Sequence, residues 1–110
     1  MCFEIFMNSE KFVSLLKSEL DESFKLYSSK NSCIGSKLDS LELSSENKSE
    51  VLAIVKEAVT ENLFVLLSAL EGTASLSGNQ QIYQLTDENE STVSGELDSE
   101  FYMQVIEPSV

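Results

Sequence analysis

The stretch Ile82-Tyr83-Gln84-Leu85-Thr86-Asp87-Glu88-Asn89-Glu90-Ser91-Thr92-Val93-Ser94-Gly95-Glu96-Leu97 decides the fold class. Before it the apolar residues recur at helical intervals; within it the period shortens toward two. Ile82 to Thr86 reads as a strand, although Ile82 and Leu85 break strict alternation, and Thr92 to Leu97 reads as its return. Between them, Asp87 to Ser91 is rich in side chains that bond back to their own backbone and so close turns. The expected element is a β-hairpin.

Working outward, the segment before the hairpin carries Val51, Leu52, Val55, Ala58, Val59, Leu63, Leu66, Leu67 and Leu70 on a broad helical face, and Gly72 follows as a natural stop. Asn47 and Glu50 stand at capping-box spacing. Leu63-Phe64-Val65-Leu66-Leu67 is apolar nearly all round, which predicts the buried centre of the domain, with Leu66 and Leu67 both inside. Nearer the amino terminus, Asn8 or Ser9 caps a first helix whose stripe runs through Phe12, Leu16, Leu20, Phe24 and Tyr27. Residues 2–7 alternate weakly and suit a short strand or lead-in. Residues 28–50 are serine-rich and read as a long connection with one helical turn around Leu38–Leu43. After the hairpin, Glu100 to Glu107 reads either as a short helix capped by Asp98 or Ser99 or as a third strand, ended by Pro108. The expectation is a single α+β domain over residues 1–110: two main helices packed on a small antiparallel sheet containing a C-terminal hairpin.

Composition narrows the function. The 110 residues carry 7 Lys+Arg, every one a lysine, against 19 Asp+Glu, for a net charge of −12; histidine and tryptophan are absent. A nucleic-acid binder needs the opposite sign. Chemistry built on a histidine base, an arginine clamp or a histidine-ligated metal lacks its side chains. A paired-carboxylate glycosidase needs a sugar cleft with aromatic platforms that so few aromatic residues do not furnish. Asp87-x-Asn89-x-Ser91 has the start of a calcium loop, but Thr92 stands where glycine is required and Asp98 where a bidentate glutamate is required. Ser14 and Lys17 have Ser-x-x-Lys spacing on an ordinary amphipathic helix. The chain is therefore read as a non-enzyme with no catalytic residue, metal ligand or cofactor. Leu63–Leu67 is far shorter than the roughly 20 apolar residues of a membrane span. With no positive, apolar leader at Met1–Met7 and two isolated cysteines, Cys2 and Cys33, the expected setting is the reducing cytoplasm.

The informative feature is charge asymmetry. All seven lysines lie within residues 1–56, whereas residues 57–110 hold ten acids and no cation. Such a segment projects a negative field that speeds capture of a basic partner. The candidate partner-binding residues are Asp87, Glu88 and Glu90 in the turn and Glu96, Asp98 and Glu100 beyond it, with Tyr83 or Tyr102 as an anchor. The plain alternative is a solvated acidic surface that serves solubility.

Leu66-Leu67-Ser68-Ala69-Leu70-Glu71-Gly72, Tyr83-Gln84-Leu85-Thr86-Asp87 and Ser94-Gly95-Glu96-Leu97-Asp98-Ser99-Glu100-Phe101-Tyr102 follow in a cadence that resembles small acidic bacterial proteins, some of them immunity proteins encoded beside toxins. In that pattern histidine often follows the Gly-Glu-Leu step; here the residue is Asp98. The resemblance implies an immunity or inhibitor protein that neutralises a basic protein partner, such as a nuclease toxin. A secretion chaperone, holding its partner in an apolar groove, is the alternative. A DNA mimic offering carboxylates in place of phosphates is a third. Oligomeric state is not legible from the sequence.

Overall fold

The computed structural model describes residues 6–109. Its regular elements are all helical: α1 spans Ser9–Tyr27, α2 Cys33–Ser40, α3 Ser45–Leu70 and, after an irregular stretch over 71–96, α4 Leu97–Phe101, which continues into a π-helical turn, Tyr102–Ile106, and a 3-10 turn, Glu107–Ser109. The lead-in expected over residues 2–7 falls mostly outside the described residues; of its members, Met7 packs against the core.

Local chemistry sets the helix boundaries. Asn8 caps α1, its side chain accepting the Lys11 N–H at 2.9 Å. Ser44, not Asn47, caps α3, and the Asn47 N–H is the one its hydroxyl receives, at 3.1 Å. α3 ends in a Schellman arrangement: Gly72 N–H donates to the Ala69 carbonyl and Thr73 N–H to the Ser68 carbonyl at 3.2 and 3.0 Å. Gly72 has φ +80°, and a Cβ there would come within 2.6 Å of Ile82 Cγ1. Glycine is required at that position on both counts.

The serine-rich region 28–50 is more ordered than its composition suggests. Its hydroxyls close helix ends: Ser28 Oγ donates to the Lys25 carbonyl at 2.7 Å, Ser32 Oγ to the Leu26 carbonyl at 2.6 Å, and Ser32 Oγ in turn accepts the Gly35 N–H. α2 thereby folds back against the end of α1. A Cβ on Gly35 would collide with the Ser29 carbonyl oxygen.

The core lies where α1, α3 and α4 meet. Val13, Leu97 and Phe101 are fully buried, with Leu20, Leu67 and Val93 beside them. The spacing of seven from Val13 to Leu20 and of four from Leu97 to Phe101 aims each pair at the same side. Phe64 stacks on Phe101 at 6.4 Å. Leu66 is 43% exposed and Val65 55%. The expectation that both Leu66 and Leu67 are buried is therefore corrected: Leu67 is buried, with Ser68 and Ala69 after it, and Leu66 is not. Val13, which the sequence stripe omitted, is the innermost residue of α1.

The α+β class is also corrected. Among the described residues there is no sheet, only isolated antiparallel bridges at Leu76–Asn79 and Thr86–Thr92. The chain does reverse at Asp87–Ser91, where Asp87 N–H donates to the Ser91 carbonyl at 3.0 Å and Val93 N–H to the Leu85 carbonyl at 2.8 Å, but the flanking donors do not extend this into a ladder. Tyr83 N–H bonds the Leu70 carbonyl at the end of α3, Leu85 N–H goes to Ser94 Oγ, and the N–H groups of Gly95 and Leu97 both go to Glu71 Oε2. Leu97, expected to end the return strand, begins α4. Of the two readings of residues 100–107, the helical one holds, but not its cap: α4 starts at Leu97 after Glu96 with no side-chain cap bond, and Asp98 and Ser99 lie within it.

Candidate functional site

The eight residues singled out from sequence separate into structural and free groups. Asp87 is structural: its Oδ1 accepts the N–H groups of Asn89 at 3.0 Å and Ser91 at 2.8 Å, and it shapes the reversal. Asp98 is structural as well, accepting the Thr73 hydroxyl at 2.8 Å and the Ser99 N–H at 2.9 Å. Glu100 accepts Gln104 Nε2 at 2.9 Å. Tyr83 is half-buried on the end of α3. Glu88, Glu90 and Glu96 are exposed, and no hydrogen bond or ion pair between side chains engages their carboxylates among the described residues. Tyr102 is 48% exposed, with its ring on Phe64 at 6.2 Å.

The free acids are carried on a rigid frame. Glu90 sits at φ 64°, held where the Asp87 carboxylate closes the turn. Glu96 precedes α4, and its N–H donates to Ser9 Oγ at 3.0 Å while the same hydroxyl donates to the Val93 carbonyl at 2.6 Å. Ser9 is buried and so ties the start of α1 to this segment. Glu96 and Glu100 line a polar depression of about 240 Å³ together with Glu10 on the first turn of α1. Glu10 was not singled out from sequence, because it is 86 residues from Glu96 and no local spacing links them.

Electrostatically this face is uncompensated. The ion pairs among the described residues are Lys25–Glu22 at 3.3 Å and Lys30–Asp39 at 3.6 Å, both exposed and both in the first half of the chain. Lys56, the last cation in the sequence, lies over the Phe24 ring at 5.5 Å. Among the described residues, no group of three or more Asp, Glu, Cys or His is arranged to hold a metal ion. No helix among the described residues is long and apolar enough to cross a membrane.

A second concavity, of about 670 Å³, runs between α3 and the C-terminal turns over an apolar floor of Phe64, Val65, Val105 and Ile106, with Glu57 and Glu61 among its lining residues. Sequence reasoning did not locate it, since it depends on how the π-helical turn lies along α3. Comparison of the chain with protein-family models, curated proteins and solved structures gave no significant match.

Proposed function

We propose that this chain is an immunity- or inhibitor-type protein that neutralises a basic protein partner, such as a nuclease toxin, by covering it with the acidic surface of its second half, in the cytoplasm. The observation that carries this reading is the set Glu88, Glu90 and Glu96: three exposed carboxylates, none within ion-pair reach of a lysine, on backbone fixed by Asp87, Ser9 and Glu71. Fixed, unneutralised charge steers encounter without needing to reorganise. Tyr102 is the better of the two anchors, because its ring is presented at the surface while Tyr83 is packed on α3. The exposed Cys33 thiol suits a reducing compartment.

The test is affinity capture with the wild type and with Glu88→Lys/Glu90→Lys/Glu96→Lys as baits. Strongly basic proteins should be retained by the wild type, released by salt and lost from the reversed bait. Retention that is equal on both baits rejects the acidic surface as the binding face.

The apolar groove favours the chaperone reading as the second. A partner held there would resist salt and be lost on Val65→Glu or Ile106→Glu.

A further inference from the structure

From Ile82 to Asp87 the chain alternates with a period of two. Tyr83, Leu85 and Asp87 are half-buried and turn their backbone groups inward. Tyr83 N–H donates to the Leu70 carbonyl at 2.9 Å, Leu85 N–H to Ser94 Oγ at 2.9 Å and Asp87 N–H to the Ser91 carbonyl at 3.0 Å. The Leu85 carbonyl accepts Val93 N–H at 2.8 Å. Thr86 therefore faces Thr92 as the non-hydrogen-bonded pair of its bridge, with its own N–H and C=O directed away. Ile82, Gln84 and Thr86 are exposed, and no hydrogen bond engages their backbone groups among the described residues. Three donors and three acceptors thus stand in a row on the outer side of a segment whose inner side is already tied down. Ile82, at 79%, is the most exposed large apolar side chain among the described residues.

We propose that the basic partner docks on this edge by laying an extended strand of its own along Ile82–Thr86. The inference rests on the acidic-surface reading above and specifies how that surface holds its partner. A row of alternating donors and acceptors is matched in full by another extended main chain, whose own groups repeat at the same interval. Charge selects whose main chain it is. Beyond Thr86 the segment runs into Glu88 and Glu90, both exposed and outside ion-pair reach of any described lysine, and residues 57–110 hold no cation. A second copy would bring the same acids and a further net charge of −12, whereas a strand carrying lysine or arginine beside the turn is drawn in. At the other end, Ile82 favours a β-branched or aromatic residue opposite it. The occupant is therefore an extended segment of the partner, apolar over Ile82 and cationic beside Glu88 and Glu90. Leu70, Ser91, Val93 and Ser94 already hold the edge in place, so it receives the strand without an ordering cost of its own.

Amide hydrogen exchange of the full chain, followed residue by residue by NMR at low salt, tests this with a synthetic peptide. The probe is acetyl-Lys-Lys-Val-Thr-Val-Thr-Val-Lys-Lys-amide, cationic at both ends so that it can add in either direction. It should slow exchange at Ile82, Gln84 and Thr86 and leave Tyr83 and Leu85 nearly unchanged. Methylating the valine and threonine nitrogens of the peptide keeps its charge and removes its donors; half-saturation should then need roughly tenfold more peptide. Gln84→Pro deletes one outward N–H that the fold does not use, so it should keep the wild-type melt and weaken binding of the unmethylated peptide. A peptide that leaves the three amides unprotected overturns the inference. So does a methylated peptide that binds as tightly as its parent; if both are then lost on Glu88→Lys/Glu90→Lys, the acidic surface stands without the edge, and the two readings fail separately. Protection of the three amides without peptide, together with a doubled mass in sedimentation, would make a second copy the occupant and overturn it as well.

Discussion

Glu71 Oε2 accepts the backbone N–H of Leu97 at 2.8 Å, joining the residue that caps the end of α3 to the first residue of α4. The Gly95 N–H reaches the same oxygen at 2.6 Å. Negative charge is unfavourable at the end of α3 but favourable at the start of α4, and the two charge-assisted bonds decide the balance. Glu71→Ala should cost about 1.5–3 kcal/mol. An unchanged urea midpoint would mean that α4 is positioned by Leu97 and Phe101 alone.

Ser9 makes the corresponding tie on the other side of α4. Its buried hydroxyl both donates to the Val93 carbonyl and accepts the Glu96 N–H, so Ser9→Ala leaves one acceptor and one donor without their partner. The expected loss is about 1–3 kcal/mol. Hydrogen exchange of the Glu96 amide should accelerate more than that of amides within α3; uniform acceleration would show a global effect and no local tie.

Leu66 and Leu67 are neighbours with opposite environments, 43% and 4% exposed. Leu67→Ala should destabilise by about 2–5 kcal/mol and Leu66→Ala by much less. Equal losses in thermal melts would return both residues to the core.

These neighbours also show how far the sequence could be read. The two long helices, the cap of α1 to within one residue (Asn8 or Ser9) and the stop at Gly72 were legible, because each is written in residues a few positions apart. Leu66 was misplaced because α3 is apolar around most of its circumference, and periodicity alone does not choose the arc that meets α1 and α4. The hairpin was expected from Ile82–Leu97 because its alternation and turn residues are local. It stops at a single bridge, Thr86–Thr92, because Leu70 and Glu71 at the end of α3 take the N–H groups of Tyr83, Gly95 and Leu97, and the Ser94 hydroxyl takes that of Leu85. The candidate site was legible by charge, which counting reveals, and not by role. Asp87, Asp98 and Glu100 spend their carboxylates on the fold, whereas Glu10 joins the acidic depression through tertiary packing.

Gly72→Ala should destabilise by more than about 1 kcal/mol, since a side chain at φ +80° is strained and would press on Ile82. Gly78→Ala, at φ +83° with nothing within 4 Å of the added carbon, carries the strain without the collision. Comparing their denaturation midpoints isolates the steric part. Equal losses would show that Ile82 yields without cost.

The electrostatic account is tested most directly by the association rate of the chain with its basic partner, measured against ionic strength by stopped flow for wild type and for Glu88→Lys/Glu90→Lys/Glu96→Lys. Exposed charges are screened over about 8–10 Å near physiological salt. The wild-type rate should be high at low salt and fall steeply as salt rises, while the reversed variant, folded as judged by its melt, should associate slowly with a flat or inverted salt dependence. A wild-type rate that is independent of salt and equal to that of the reversed variant would contradict capture by the acidic surface.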